Sequence, residues 1–326
     1  MTKFKRIGIL TSGGDAPGMN AAIRAVVRAG LSKNIKISGV IRGYDGLVNG
    51  EFREMTSRKV SNIIHRGGTI LKSARSEAFR TKEGRYKAYR NLIEEGVESL
   101  IVIGGDGTFT GARVFGEEYD FPIVGIPGTI DNDLYGTDMT IGFDTAINTV
   151  VEAVDKIRDT ASSHERLFFI EVMGKDAGFI ALRSGIATGA EAIFIPEVQT
   201  ELSDFESYLF NGSHQKKSSN IVLVAEGDET GGAFKLADQV KEKLPNYDMR
   251  VTILGHIQRG GSPSAYDRYI ASRLGVAAIE ALLDSQRSIM VGLKHKEIDH
   301  IPFAKTIKHH KEADKTLMAL LKTLNF

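Results

Sequence analysis

Short β-rich runs alternate with helical patterns along most of this 326-residue chain. Strand–helix alternation of this kind favours parallel sheets that carry helices on both faces. The length predicts either two domains or one large α/β unit. The predicted strands are Arg6–Thr11, Lys36–Ile41, Ser99–Ile103, Pro122–Ile126, Leu167–Met173, Ala192–Ile195, Ile221–Ala225 and Arg250–Leu254. The predicted helices are Pro17–Ser32, Lys82–Glu95, Thr108–Glu118, Asp144–Thr160, Gly178–Thr188, Gly232–Leu244 and Tyr266–Asp284.

The composition is that of an ordinary globular protein, with 42% hydrophobic and 25% charged residues. A net charge of +1 gives no reason to expect nucleic acid or a membrane surface as the main partner. The absence of cysteine excludes disulfides and thiolate metal sites. No apolar run approaches the roughly 20 residues of a membrane-spanning helix, and no signal-like segment precedes the first strand, so we expect a cytoplasmic protein. The basic tail Lys294–Phe326 is expected to be a solvated surface.

The 35 glycines cluster where predicted strands end. The segment Gly104-Gly-Asp-Gly-Thr108 follows the apolar run Ser99–Ile103 and places one carboxylate, Asp106, among three glycines. Glycines let an anion approach the backbone N–H groups, and a carboxylate among phosphate-binding glycines needs a cation between it and the phosphates. The segment therefore favours a Mg²⁺–nucleotide site. A simple turn between a strand and a helix is the alternative, because Gly and Asp are also ordinary turn residues.

Two more segments begin where strands end. Thr11–Asn20 contains two glycines and enters a helix whose N-terminus offers oriented N–H donors, although Pro17 and Gly18 also suit a purely structural helix start. Pro127–Asp133 places two carboxylates two residues apart beside the Asp106 segment. A carboxylate that accepts the proton of an attacking hydroxyl is a recurring part of phosphoryl transfer. An Asx-rich turn is the alternative interpretation of this segment.

A fourth segment, Gly255–Pro263, follows the last predicted strand. His256 and Arg259, with Arg250 nearby, form a donor set suited to a sugar phosphate, because arginine binds phosphate through two parallel hydrogen bonds. Neither the Walker phosphate loop nor the dinucleotide-binding glycine fingerprint occurs, so any nucleotide chemistry must use other machinery. Further basic donors lie on Arg66–Arg75 and at Arg80 and Arg85.

Together these segments resemble the bacterial-type ATP-dependent 6-phosphofructokinases. The resemblance covers about residues 4–290. It implies two doubly wound, Rossmann-like α/β/α lobes with mainly parallel sheets. The larger, ATP-binding lobe is expected to comprise residues 1–138 plus 251–301, and the smaller lobe, contributing to fructose 6-phosphate binding, residues 139–250 plus 302–326. The matching residues, in that family's order and spacing, are Thr11–Asn20, Gly104–Thr108, Pro127–Asp133, Met173–Gly174 and Gly255–Ser262.

The reaction implied by the resemblance is transfer of the ATP γ-phosphoryl group to the 1-hydroxyl of fructose 6-phosphate, a step of glycolysis. Asp131 is the implied general base, Thr129 and Asp133 support the transferring group, and Arg75 offsets its charge. Asp106 is implied to hold Mg²⁺, the expected cofactor, on the ATP phosphates. The residues implied to line the nucleotide site are Gly13, Tyr44, Arg75, Ser76, Arg80, Arg85, Gly105, Asp106, Gly107, Thr108 and Gly111.

The resemblance also implies how the sugar phosphate is bound. Arg166 and Arg250 are expected to come from a neighbouring subunit, so the implied assembly is a homotetramer with shared active sites. Lys175 stands where the family has arginine, which keeps the charge but loses the bidentate fork. The implied substrate residues are Thr129, Ile130, Asp131, Arg166, Met173, Gly174, Lys175, Glu226, Arg250, His256 and Arg259.

Two small residues bear on the phosphoryl donor. Pyrophosphate-using relatives carry Asp at the position of Gly107 and Lys at that of Gly128, and glycine at both positions here favours ATP. Two other functions stay open from the residues alone. A kinase acting on NAD or lipid would explain Asp106 but not the later segments, and a non-enzymatic sugar-sensing module would leave both carboxylates unexplained.

An effector site that ADP activates and phosphoenolpyruvate inhibits is also implied. Ser57 stands where an effector arginine is expected, with Arg58 adjacent, and His214 stands where a more basic residue is usual. The strength of any allosteric response is therefore open. The implied effector residues are Arg24, Arg28, Arg58, Arg158, Glu191 and Lys216.

Overall fold

The computed structural model describes residues 4–161, 166–198, 219–245, 248–309, 311–312 and 315–324. The chain divides into two compact units. The larger comprises Met1–Ile130, Leu134–Thr145 and Arg259–Lys311, and the smaller comprises Asp131–Asp133, Ala146–Gln258 and Glu312–Phe326. Each unit is therefore assembled from separate pieces of the chain.

Strands and helices alternate in both units. The strands are β1 (Arg6–Thr11), β2 (Lys36–Val40), β3 (Phe52–Met55), β4 (Ser99–Gly104), β5 (Ile123–Pro127), β6 (Arg166–Val172), β7 (Ala192–Phe194), β8 (Ser219–Ala225), β9 (Met249–Ile253), β10 (Ile289–Lys294) and β11 (Glu297–Pro302). The helices are α1 (Met19–Ser32), α2 (Gly43–Asn49), α3 (Glu77–Arg80), α4 (Lys82–Glu95), α5 (Asp106–Tyr119), α6 (Phe143–Ala161), α7 (Phe179–Thr188), α8 (Ala233–Lys243), α9 (Ala265–Leu283), α10 (Phe303–Lys308) and α11 (Lys315–Leu324). A 3₁₀ turn spans Gly255–Arg259.

The larger unit contains a seven-stranded sheet with the order β11-β10-β5-β4-β1-β2-β3. The five inner strands are parallel, and the edge strands β3 and β11 pair antiparallel with their neighbours. Every residue of β4 is buried, as expected for a central parallel strand with a near-continuous Leu/Ile/Val run. Because β1, β4 and β5 are parallel neighbours, the loops that follow them leave the sheet at the same edge.

The smaller unit contains a four-stranded parallel sheet with the order β7-β8-β6-β9. Leu167 and Phe169 of β6 pack with Val222 and Val224 of β8 in one apolar cluster, against which helix α8 lies with Leu236. The loops after β6, β8 and β9 also leave this sheet at one edge, since the three strands are parallel.

All eight predicted strands and all seven predicted helices are present, with bounds that agree to within two residues. The α/β class with mainly parallel sheets is confirmed. Three strands were missed, namely β3, β10 and β11. β3 and β11 are polar strands at the sheet edges, where the apolar pattern is weak, whereas β10 is an apolar inner strand whose first five residues are buried.

The expectation that Lys294–Phe326 is only a solvated surface is wrong. β11 pairs with β10 along six residues, and Ile301 and Phe303 are buried in the core of the larger unit. The many lysines and histidines of this segment made it look fully polar in the sequence, although it contains these two buried apolar residues. No helix in the described ranges is both long and apolar enough to cross a membrane.

Candidate active site

The three glycine-bearing loops that follow β1, β4 and β5 come together in the larger unit. A Cβ on Gly104 would lie 2.5 Å from the carbonyl oxygen of Ser12, so only glycine permits this approach. The backbone N–H of Gly128 donates a 3.0 Å hydrogen bond to the carbonyl of Gly104. A Cβ on Gly105 would lie 3.6 Å from that of Thr129. The sequence segments predicted to form one site are therefore adjacent.

Asp106 is the first residue of α5 and is exposed. A carboxylate in the first turn of a helix is stabilised by the helix dipole and the unpaired N–H groups there. The next residue, Gly107, is also exposed, and a Cβ built on it meets no atom within 4 Å. The N-terminus of α5 therefore presents one carboxylate beside open space.

Thr108 lies one residue further along α5, with its side chain buried. In the described part of the chain, its hydroxyl has no hydrogen-bond partner. A Cβ on Gly13, whose φ is +82°, would lie 3.5 Å from this oxygen. Buried hydroxyls normally have partners, so this oxygen is available to a ligand that enters between the first two glycine loops.

Tyr44 packs against the first turns of α5. Its buried ring stacks on Phe79 with centroids 4.1 Å apart, and its hydroxyl donates a 2.6 Å hydrogen bond to the Thr108 carbonyl. A Cβ on Gly111 would lie 3.2 Å from the Tyr44 ring. Burial raises the pKa of the Tyr44 phenol, so it remains a donor. Tyr44 and Gly111 therefore fix the start of α5, where the nucleotide was predicted.

The arginines predicted to bind the nucleotide differ in exposure and in how many hydrogen bonds they make within the protein. Arg75 is exposed, and Ser76 beside it accepts a hydrogen bond from Phe79 N–H as the N-cap of α3. Arg80 is also exposed and lies 3.5 Å from Glu77. Both arginines can turn toward a ligand.

Arg85 is instead held inside the larger unit. It donates from Nε and Nη2 to the two carboxylate oxygens of Glu118, at 2.5 and 2.7 Å, and from Nη1 to the carbonyls of Phe79 and Arg80. These bonds use four of the five N–H donors of the guanidinium. They hold the pKa of the Glu118 carboxyl below its usual range. Arg85 thereby anchors the segment that carries Arg80.

Arg259 of the fourth segment lies on the first glycine loop. A Cβ on Gly14 would lie 2.4 Å from its Nη1, and Nη1 is 3.4 Å from the Asp15 carbonyl oxygen. The glycine at position 14 therefore leaves the room that the guanidinium occupies. His256, three residues earlier, is exposed.

In the smaller unit, the loop after β6 is held by a carboxylate from the loop after β8. Glu226 Oε1 accepts hydrogen bonds from the backbone N–H groups of Gly174 and Lys175, at 3.3 and 2.7 Å. Gly174 has a φ of +150°, and a Cβ on it would lie 2.2 Å from the Ala177 carbonyl oxygen, so glycine is required there. Met173 N–H donates to Gln258 Oε1 at 3.2 Å. The predicted substrate segment is thus a pre-shaped loop.

Arg166 and Arg250 share one carboxylate. Arg166 Nε donates to Asp248 Oδ2 at 2.7 Å, and Arg250 Nη2 lies 3.2 Å from Asp248 Oδ1. The hydrogen bond from Arg166 and the charges of both arginines hold the pKa of Asp248 below its usual range. Asp248 was not predicted, because nothing local in the sequence links it to Arg166, which is 82 residues away.

The third segment contributes the buried residues Thr129, Ile130 and Asp131, and the less buried Asp133 follows. The Thr129 carbonyl accepts a 2.6 Å hydrogen bond from the Thr140 hydroxyl. In the described ranges no cluster of three or more His, Asp or Glu side chains is arranged to hold a metal ion. A cation here would need oxygen ligands from a bound phosphate as well as from Asp106, which is how Mg²⁺ is commonly held.

Comparison with known proteins settles the family. The phosphofructokinase family profile matches residues 6–282. The chain belongs to the phosphofructokinase family. An ATP-dependent 6-phosphofructokinase 2 of Bacteroides thetaiotaomicron is 59% identical over 325 residues, covering 100% of both chains. An ATP-dependent 6-phosphofructokinase of Cytophaga hutchinsonii is 54% identical, covering 99% of this chain and 98% of its own.

Among solved structures, phosphofructokinase from Saccharomyces cerevisiae superposes with a TM-score of 0.88 at 38% identity. The match covers 98% of this chain but 47% of the yeast chain, so this member of the phosphofructokinase family spans about half the yeast length. The two-lobed α/β architecture predicted from the sequence agrees with this neighbour.

The residues predicted for an effector are distributed over both units. Arg24 and Arg28 lie on α1 of the larger unit, where Arg58 is exposed. In the smaller unit, Arg158 Nη2 donates to the Thr188 carbonyl at 2.7 Å, and the buried Glu191 accepts from Ile221 N–H at 2.6 Å. Lys216 and His214 lie outside the described residues.

Proposed function

We propose that this member of the phosphofructokinase family is an ATP-dependent 6-phosphofructokinase. It transfers the γ-phosphoryl group of ATP to the 1-hydroxyl of fructose 6-phosphate, giving ADP and fructose 1,6-bisphosphate. The observation that carries the proposal is the meeting of three glycine loops beside Asp106, with open space at Gly107. The names and full-length coverage of the bacterial relatives support the same reaction.

The larger lobe binds the nucleotide. Asp106 holds Mg²⁺, and its exposed place at the start of α5 fits a cation that is also bound by phosphate oxygens. Bound Mg²⁺ neutralises charge on the phosphates and orients them. The remaining nucleotide contacts are assigned to Gly13, Tyr44, Arg75, Ser76, Arg80, Arg85, Gly105, Gly107, Thr108 and Gly111.

In the transfer step, Asp131 accepts the proton of the sugar 1-hydroxyl as its oxygen attacks the γ-phosphorus. The new O–P bond forms while the bond between the γ-phosphorus and the ADP oxygen breaks. Arg75 offsets the charge on the transferring group, and Thr129 and Asp133 orient it. The exposure of Arg75 supports this role, because its guanidinium can reach a ligand.

Fructose 6-phosphate binds to the smaller lobe and to the segment after β9. Glu226 supports this assignment, since it fixes the loop that bears Met173, Gly174 and Lys175 while remaining exposed itself. His256 and Arg259 bind the sugar phosphate. Arg166 and Arg250 come from a neighbouring subunit of a homotetramer, and the shared contact with Asp248 keeps both guanidinium groups in one place.

The donor is ATP rather than pyrophosphate. The open space at Gly107 supports this choice, because an Asp side chain there would crowd and repel the phosphates of ATP. Packing provides a second explanation for the glycine at position 128. A Cβ there would lie 2.9 Å from the Ile103 side chain, so packing alone also favours glycine.

Replacement of the proposed base provides the principal test. Asp131→Ser is expected to lower kcat by several orders of magnitude and to leave binding of fructose 6-phosphate largely intact. Asp238→Ser, on the exposed face of α8, is the matched control and is expected to retain full activity. Near-normal turnover by Asp131→Ser would contradict the assignment. Parallel assays with NAD and diacylglycerol as acceptors test the other kinase classes.

Regulation by ADP and phosphoenolpyruvate is proposed for Arg24, Arg28, Arg58, Arg158, Glu191 and Lys216. The initial rate against fructose 6-phosphate, measured with and without each effector, tests it. A sigmoidal curve that ADP shifts toward lower sugar concentration is expected. Hyperbolic curves that neither effector changes would indicate that Ser57 marks a weakened effector site.

A further inference from the structure

The larger unit contains a loop of residues 65–72, and Arg75 lies three residues further along the chain. The loop has little regular structure, and Arg75 follows it on the exposed surface. A long side chain can act on a reacting group only if its own backbone is held in place. What fixes this loop therefore decides where Arg75 lies.

On one side the loop borders a cavity of about 320 Å³, which is lined by Arg66, Ile70 and Leu71 from the loop, and by β3 and Lys59. A side chain that borders empty space has fewer dispersion contacts to keep it in position. Leu71 is nevertheless buried, and its carbonyl accepts a 2.7 Å hydrogen bond from Arg42 N–H. Further hydrogen bonds hold the loop from α1 and β1.

Asn20, the second residue of α1, supplies three of them. Its side-chain nitrogen donates to the carbonyls of Arg66 and Gly67 at 3.0 and 3.1 Å, and its oxygen accepts from Ile70 N–H at 2.8 Å. Asn20 is 1% exposed. Both N–H donors and the carbonyl oxygen of this amide are therefore used on the loop backbone.

Thr11, the last residue of β1, supplies a second attachment. Its buried hydroxyl donates to the Lys72 carbonyl at 2.8 Å and lies 2.9 Å from the Thr69 hydroxyl. The Thr69 oxygen in turn accepts from Leu71 N–H at 3.3 Å. The attachment reaches the part of the loop nearest to Arg75.

The fourth glycine segment closes the loop from its other end. The Ser262 hydroxyl donates to the His65 carbonyl at 2.7 Å. A Cβ on Gly67 would lie 2.2 Å from the Gly261 carbonyl oxygen, so the two backbones touch. Two of the four glycine segments thus bind the 65–72 loop through residues for which the transfer reaction itself has no use.

We propose that Thr11 and Asn20 are positioning residues for Arg75. Through the 65–72 loop they hold the Arg75 backbone in register with the glycine loop that follows β1, and so with the phosphoryl group. The inference rests on the proposed function, because Arg75 has its role only in that reaction. The inference also gives a role to the polar residues at the two ends of the Thr11–Asn20 segment, since binding a phosphate would require only the glycines between them.

Steady-state kinetics of the full chain test the inference. Thr11→Val and Asn20→Ala are expected to lower kcat about 10-fold or more and to change KM for ATP much less. Thr11→Ser, which keeps the hydroxyl, is expected to restore most of kcat. Asn91→Ala is the matched control, since Asn91 also donates to two consecutive carbonyls, Leu47 and Val48, but away from this loop.

A double-mutant cycle distinguishes positioning from a general effect on folding. In the Arg75→Ala background, Thr11→Val should have little further effect on kcat, because the group it positions is gone. Multiplicative losses would overturn the inference, as would unchanged kcat in Thr11→Val or Arg75→Ala. Each variant is assayed at a temperature where circular dichroism shows it folded.

The cycle also separates this inference from the proposed function. If the unaltered chain phosphorylates fructose 6-phosphate and Asp131→Ser does not, the function stands whatever the Thr11 cycle gives. If the unaltered chain does not phosphorylate this sugar, the proposed function fails first, and with it the role assigned to Arg75.

Discussion

The Tyr44 hydroxyl donates a 2.6 Å hydrogen bond to the backbone carbonyl of Thr108 from a buried position. The bond joins α2 to the first turn of α5, two residues after Asp106. A tyrosine predicted to touch the nucleotide therefore has its polar group directed at the protein. Its contribution to the site is to hold the start of α5.

Tyr44→Phe is expected to lower the free energy of unfolding by about 1 kcal/mol, because one buried hydrogen bond is lost while the ring stack on Phe79 remains. KM for ATP should change less than in Tyr44→Ala, which also removes the ring beneath Gly111. Urea unfolding and initial rates at varied ATP measure both effects. An equally large change of KM in Tyr44→Phe and in Tyr44→Ala would show that the hydroxyl binds the nucleotide directly.

Gly107→Ala should fold at least as stably as the unaltered chain, because the added methyl meets no atom within 4 Å and alanine favours the helix. We expect kcat/KM for ATP to fall about 10-fold or more if phosphates occupy that space, and Gly107→Asp to lower it further. Initial rates with ATP and with pyrophosphate measure the effect. Unchanged ATP kinetics in Gly107→Asp would refute the donor assignment.

Gly128→Ala provides the contrast. Its methyl would lie 2.9 Å from the Ile103 side chain and 3.1 Å from Met19, so it must displace packed atoms. Overpacking of this kind costs about 1–3 kcal/mol. The thermal midpoint of Gly128→Ala should therefore fall while that of Gly107→Ala does not, even though both glycines follow neighbouring strands.

Arg85→Met is expected to destabilise the protein by about 2–4 kcal/mol, because Glu118 and two carbonyls lose their donors in a mostly buried place. Arg90→Met, whose partner Glu94 is exposed, should change stability by less than about 0.5 kcal/mol. Urea midpoints compare the pair. Equal midpoints would mean that the Arg85–Glu118 pair contributes nothing beyond a surface ion pair.

Asp267 predicts a pH dependence of stability. Its oxygens accept from Gly142 N–H and Thr145 N–H, both at 2.8 Å, and from the Thr145 hydroxyl. Burial raises its pKa from 3.8 to about 6, so the folded state binds the proton more tightly than the unfolded state. The contribution of this group to the free energy of unfolding therefore increases as pH falls from 6 toward 4, because Asp267 becomes protonated in the folded state. Above pH 6 the buried carboxylate is ionised, and its destabilising effect on the folded state reaches its full size.

Asp267→Asn removes that titration. The free energy of unfolding of the unaltered chain, relative to Asp267→Asn, should be greater at pH 5 than at pH 8 by about 1 kcal/mol. Urea unfolding of both proteins at several pH values measures the difference, with Asp238→Asn as an exposed control. A difference that is constant, or that grows toward pH 8, would contradict the prediction.

The parts of the fold that sequence predicted are those with local signatures. The strand β4 is a largely apolar run that ends in glycine, and the helix after it starts at Asp106, a carboxylate in its first turn. Edge strands carry no such signature. β11 alternates weakly and ends in proline, so its pairing with β10 is visible only in three dimensions.

The site shows the same division. The glycine segments and Asp106 could be singled out as candidates from the sequence, because their chemistry is concentrated within a few residues. The groups that hold site residues in place were not. Glu118 lies 33 residues from Arg85, and Arg66 lies 46 residues from Asn20. Partners at such separations are selected by the tertiary fold, and no periodicity of a single chain reports them.

The sheet order has a consequence for how the larger unit is made. β5 pairs on one side with β10, through Ile289 and Val124, so two strands from late in the chain complete a sheet begun near its start. At a synthesis rate of about 5–20 residues per second, β5 waits on the order of 10–30 s for that neighbour. During this interval the free edge of β5 has unpaired backbone N–H and C=O groups. An exposed strand edge of this kind can pair with another chain, so the growing chain is most open to aggregation before β10 is made.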